Sequence, residues 1–332
     1  MPIAAAILCA ACWFGAGTRV RMAAAGGQSG LQTAWDSYKT RHFTPSVDEH
    51  LTDPALIGAI DLHAHSDPDS FPRQWDAFEV ARLAKDRGLR GLVFKNHYTE
   101  TAGLAWLARK YEAPGLEVFG GVALNLPVGG VNPQAVRYMA DVVGHYGRIV
   151  WMPTHDSEHE VTYNKEQRPF VRISRDGHLL PEVLEVLSLI AQDDLTLATG
   201  HVSAEEALMI IREGKKRGVQ RIIVTHPVLA PQYTFMSSEQ LQEAVSQGAF
   251  IEIVASNFTR SPADKARALD AIRLVGPDKA FISSDSGVTG TPNHIDALAR
   301  TAKVLREAGF TESALTQMFK QNPARLVKLP IL

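Results

Sequence analysis

His63 and His65 stand one residue apart behind the apolar run Leu56 to Ile60. In an extended strand residues i and i+2 share a face, so both imidazoles can reach a single cation. A divalent metal needs three or more ligands, and the remaining donors must come from elsewhere in the chain. Candidates recur where later apolar runs end: Lys95 and His97, His155 and Asp156, His201, His226 and Asp285. Each alone has a bland explanation. A strand histidine is commonly a surface or hydrogen-bonded residue, His201 can cap a helix, and Ser284-Asp285-Ser286 can be an ordinary turn. Histidines at the ends of five different strands, and Asp285 at a sixth, make coincidence a poor account of the set.

These residues need a scaffold that gathers strand ends. Apolar or β-branched runs occur at 59–62, 91–94, 116–123, 148–152, 195–198, 221–224, 249–254 and 280–283. Between them lie stretches with apolar residues at three- and four-residue spacing: 75–86, 101–111, 133–145, 181–191, 204–217, 238–247, 262–275 and 294–308. Eight strand-helix alternations predict an α/β fold, a (β/α)8 TIM barrel over residues 51–332, whose strand ends share one rim. Residues 157–180, after the fourth strand, are too long and polar for an ordinary barrel loop and are expected to form a flap or hairpin over the rim.

Residues 26–50 read as an N-terminal extension without periodicity. Residues 1–25 hold the apolar segment Ile3 to Gly17, shorter than the ~20 residues of a spanning helix, so no stable membrane span is expected. The segment resembles a secretory signal, although Arg19 and Arg21 follow it rather than precede it, and Met22 offers an alternative start. An exported and a cytoplasmic chain are both open. The two cysteines, Cys9 and Cys12, fall in this segment, so the folded body has no thiol chemistry. Lys and Arg number 34 against 36 Asp and Glu; with no basic excess, nucleic acid is not an expected partner.

Five pieces in order, Asp61-Leu62-His63-Ala64-His65, Thr199-Gly200-His201, Val224-Thr225-His226-Pro227, Ser284-Asp285 and Asn322-Pro323-Ala324-Arg325-Leu326, resemble the amidohydrolase superfamily of metal-dependent hydrolases, which includes phosphotriesterase-like enzymes. The resemblance implies that His63, His65 and Asp285 bind a buried metal and that His201 and His226 bind a more exposed one. A hydroxide would bridge them, with Asp285 as its proton acceptor. The sequence departs from the pattern at strand four, where two-metal members carry a lysine carbamate or a glutamate. Trp151 to Asp156 offers neither. Lys95, ending strand two, could take up carbon dioxide and bridge instead; it could equally form an ion pair with Asp61 or Asp67, leaving His155 or Asp156 to bridge, or a single metal.

The function expected is hydrolysis of a C–N or C–O bond in a small amide, cyclic amide, lactone or ester. Phosphoester or phosphotriester hydrolysis, decarboxylation on the same barrel, and a metal-binding barrel without turnover are the alternatives. Zinc suits histidine-rich ligation, with manganese or iron compatible, as one or two ions. His97, His155, Tyr163, Arg168 and Arg172 are candidate substrate contacts, the arginines for a carboxylate or phosphate. A homo-oligomer is compatible with the sequence.

Overall fold

The computed structural model describes residues 48–331. The expectations for residues 1–25 and for nearly all of the 26–50 extension lie outside the described residues. The body is the expected barrel: β1 (Ile60–His65), β2 (Gly91–Lys95), β3 (Glu117–Ala123), β4 (Gly147–Trp151), β5 (Thr196–Ala198), β6 (Arg221–Val224), β7 (Phe250–Val254) and β8 (Ala280–Ser283). They pair in that order, and the neighbouring strands are parallel. Beyond β8, Asp285 N donates to His63 O at 2.9 Å and His65 N to Ser286 O at 3.0 Å, which brings the last strand back to the first.

The principal outer helices follow the predicted spacing: α1 (Ala77–Asp86), α2 (Ala102–Leu107), α3 (Pro133–Asp141), then, after the insertion helix α4 (Glu158–Tyr163), α5 (Pro181–Gln192), α6 (Ala204–Lys216), α7 (Ser238–Ser246), α8 (Pro262–Val275) and α9 (His294–Glu307). Their starts show why the chain turns helical there. Asp76, Ser203 and Ser237 form capping boxes with Glu79, Glu206 and Gln240, satisfying first-turn N–H groups.

Strand alternation sorts the core into two shells. Outward residues such as Leu92, Phe94, Ile251 and Ile253 pack with the helices. Inward residues Ile60, Leu62, Val93, Phe119, Ile149, Trp151, Ile223 and Phe281 fill the barrel, and Ala324, Leu326 and Val327 join that inner cluster. The insertion contains both α4 and a short hairpin, Ser174–Arg175 with His178–Leu179. Among the described residues no helix is long and apolar enough to cross a membrane.

Candidate metal centre

Strict alternation in β1 would send His63 outward, because Leu62 already faces the barrel interior. A register shift against β2 between Asp61 and Ala64 provides the correction: three residues of β1 advance while β2 advances two. Such a bulge re-aims a side chain at a functional rim. His63 Nε2 consequently lies 3.2 Å from His65 Nε2 and 2.9 Å from Asp285 Oδ1, and His65 Nε2 lies 3.3 Å from the same oxygen. Lys95, inward on β2 like Val93, brings Nζ to 2.9 Å from His63 Nε2, with Trp151 beneath it, 5.3 Å from Nζ to ring centroid. Zinc ligands in a tetrahedron stand about 3.3 Å apart, so the two imidazoles and the carboxylate have the spacing of a metal-binding face.

Six imidazoles close a circuit around the mouth. Successive ring centroids are 5.1 Å apart from His63 to His65, 4.8 Å to His97, 4.1 Å to His155, 5.2 Å to His201, 5.0 Å to His226, and 5.9 Å back to His63. Donor atoms of His155, Glu160 and His201 form a second group within 4.8 Å of one another. His201 is placed by Gly200, whose φ of +68° and close backbone neighbours leave no room for a side chain: a Cβ would meet Met152 O at 2.2 Å. His226 and Asp285 themselves adopt positive φ, +28° and +49°, a conformation costing about 1–3 kcal/mol that surrounding structure must hold in place.

Two carboxylates absent from the sequence expectation hold these rings. Glu252, buried on β7, accepts from His63 Nδ1 at 3.0 Å and from His226 N at 3.3 Å. Glu160, on α4, accepts from His201 Nδ1 at 2.6 Å and His155 Nδ1 at 2.9 Å. A carboxylate that takes one ring N–H orients the other nitrogen as a ligand. His201 Nε2 is buried without a partner, as a ligand nitrogen awaiting its cation would be.

Electrostatics reflect this crowding. Burial works against charge on His63, but Asp285 and Glu252 outweigh it and raise its pKa to about 9. Burial brings His201 down to about 4, His226 to about 3 and Lys95 to about 8. Burial opposes ionisation of Asp285, yet His63 and His65 hold its carboxyl well below the usual range.

The structure thus brings together His63, His65, Lys95, His97, His155, His201, His226 and Asp285. It pairs Lys95 with His63, and no described carboxylate lies within ion-pair distance of the amine, so the Asp61 or Asp67 ion pair is not formed. Asp156 is engaged elsewhere, with Arg168 and Leu126 N. Arg168 also binds His155 O and Glu166, Arg172 pairs with Glu158, and Tyr163 is half exposed on α4. These three insertion residues stand outside the circuit.

The fold is similar to those of solved barrel enzymes described as amidohydrolases and organophosphorus hydrolases. An amidohydrolase from Burkholderia multivorans with bound HEPES is 14% identical, covering 82% of this chain and 99% of its own, with a TM-score of 0.54. A mutant organophosphorus hydrolase from Deinococcus radiodurans is 17% identical, covering 82% and 93%, with a TM-score of 0.54. A structure described as organophosphate hydrolysis engineered from a weak promiscuous lactonase template is 15% identical, covering 86% and 99%, with a TM-score of 0.55. No curated protein matches the chain. The chain belongs to a family of unknown function, DUF6282, whose family model matches residues 58–252.

Proposed function

We propose that the chain is a metal-dependent hydrolase of small substrates carrying an amide, cyclic amide, lactone or ester bond. The observation that carries this reading is the convergence of His63, His65 and Asp285, from opposite ends of the sequence, with donor atoms 2.9–3.3 Å apart in one buried place. The similar folds bearing amidohydrolase, organophosphorus hydrolase and lactonase names add support.

His63, His65 and Asp285 would hold one divalent cation, zinc by donor chemistry, and His201 and His226 a second, with Lys95 available as a carbamate between them. Bound there, such cations would activate water and polarise the scissile oxygen. The chain's own residues supply the rest. Glu252 and Glu160 keep protons on Nδ1 of His63 and His201, so Nε2 is the nitrogen each ring would offer to a cation. Asp285 stays ionised between two imidazoles, able to accept a proton from attacking water and return it to a leaving amine or alcohol. Trp151 closes the floor below Lys95 and His63 and excludes water from that side.

Elemental analysis of the purified protein beside His63→Ala and Lys95→Ala tests the assignment. The first variant should lose metal, and the second should lose one equivalent if Lys95 bridges. Turnover is then sought across amide, lactone, ester and organophosphate panels. A protein that takes up no divalent metal sinks the proposal; bound metal without turnover leaves a metal-binding barrel.

A further inference from the structure

The hydrogen bonds of the imidazole circuit sort its members into chemical kinds, and His97 falls on the other side from His201. Asn125 sets the logic. Its Oδ1 accepts Thr154 N at 2.9 Å and Asp156 N at 3.3 Å, which fixes the amide orientation, so Nδ2 is the end that donates to His97 O at 2.8 Å and to Thr154 Oγ1 at 2.6 Å. Thr154 is fully buried and its hydroxyl carries one proton. That proton needs an acceptor, and His97 Nδ1 at 2.8 Å is the one available among the described residues. His97 Nδ1 therefore carries the lone pair and Nε2 carries the hydrogen. At His201 the Nδ1 partner is the Glu160 carboxylate, which can only accept, and the proton sits on Nδ1 instead.

His97 Nε2 has no partner among the described residues and is not one of the fully buried polar atoms left without one, so it opens on the mouth between His65 and His155. We infer that His97 is a hydrogen-bond donor to the substrate's carbonyl or phosphoryl oxygen and not a metal ligand. The role rests on the hydrolase reading; the tautomer does not. Thr154 and Asn125 are then positioning residues, reversing at one ring the polarity that Glu252 and Glu160 impose at others. A fixed N–H beside a developing oxyanion is worth about 10²–10³-fold in rate.

The test begins with two-bond ¹H–¹⁵N correlation of ring-¹⁵N-histidine protein, metal-free and then titrated with zinc chloride, the His97 signals being assigned by their loss in His97→Gln. The expected pattern is pyrrole-type nitrogen at Nε2 and pyridine-type at Nδ1, unchanged by zinc, while His201 shows the opposite pattern and shifts. An Nδ1–H tautomer, or a zinc-induced shift of His97 Nε2, overturns the inference. His97→Ala should keep the full zinc equivalents of the unaltered protein; loss of one equivalent makes His97 a ligand and overturns it as well. With p-nitrophenyl acetate or δ-valerolactone as probe, His97→Ala should lose about 10²-fold in kcat/KM and His97→Gln, whose amide can still donate, should recover most of it. Equal loss in both variants overturns the donor role. Absence of turnover in the unaltered protein across the amide, lactone, ester and organophosphate panels sinks the hydrolase reading and the donor role with it, while the nitrogen spectra still decide the tautomer.

Discussion

Glu252→Gln separates an orienting carboxylate from a merely buried one. Glu252 is 2% exposed and holds two groups of the centre, the His63 ring at 3.0 Å and the His226 backbone at 3.3 Å. Glutamine preserves the shape. It turns a charge-assisted bond to His63 into a neutral one, a loss of about 1 kcal/mol, and sets an amide N–H against His226 N, leaving a buried donor unpaired at about 1–2 kcal/mol. Relief from burying a full charge returns part of this sum, so a net destabilisation of roughly 1–2 kcal/mol is expected in the metal-free protein. That is a fall of a few degrees in melting temperature for a domain this size. Zinc affinity should fall further, by about 10–100-fold, because the ring nitrogen opposite the metal-facing atom has lost its anionic partner. Thermal denaturation of the metal-free variant reads the first effect, and zinc competition against a chromophoric chelator reads the second. A lowered melting temperature with zinc affinity within about threefold of the unaltered protein would refute the orienting role.

Three further outcomes are expected. Gly200→Ala forces a Cβ to 2.2 Å from Met152 O at a φ of +68° and should cost about 2–4 kcal/mol, read as a lower urea midpoint; an unchanged midpoint would mean that the His201 loop is not held as described. At Asp53 burial opposes ionisation, but Arg306 and the Ala55 N–H outweigh it and pull the carboxyl below 3.8. A depressed folded pKa gives stability that is full above the unfolded value and lost as pH falls through the folded one, so Asp53→Asn should cost about 0.5–1 kcal/mol near neutrality, a cost that shrinks as pH falls below 3.8. A denaturant series against pH that shows a constant difference would contradict it. If the Lys95 amine adds to carbon dioxide, releasing a proton and forming a carbamate, ¹³C-bicarbonate should give a carbamate carbon resonance that is absent from Lys95→Ala; no resonance in the metal-loaded protein removes Lys95 as a bridge.

Much of the fold was legible because it depends on short-range periodicity. The run 221–224 and the helix at 262–275 appear where spacing puts them, and most other boundaries move by one to four residues. The bulge in β1 was not legible, since it exists only as a register against β2 and Leu62-His63 reads as ordinary alternation. Glu252 left a signal that could have been used: an acid inside the apolar run Phe250 to Val254 has to find a buried partner, but His63 is 189 residues away and sequence does not name it. Arg168 and Arg172 show the converse: their partners were not legible. Free arginines in a polar loop suggest an anion site, whereas acids two to fourteen residues away, Glu166, Asp156 and Glu158, already occupy them.

Those local pairs explain how the insertion still belongs to the centre. Arg168 ties its loop to Asp156 and to His155 O, Val171 N donates to Asp156 O, and Ser157 Oγ donates to His201 O at 2.8 Å while accepting Glu160 N at 3.1 Å. Each contact fixes the start of α4 relative to the ends of β4 and β5. On a frame so fixed, one inward side chain suffices: Glu160 reaches His155 and His201 together. Strand four, which ends without a glutamate or a lysine of its own, thus gains a glutamate carboxylate from the loop that follows it, while Lys95 comes from β2 to the cluster around His63. Disorder in the insertion would leave the strand-end histidines present but His155 and His201 unoriented, so the flap is as much a part of the centre's construction as the barrel beneath it.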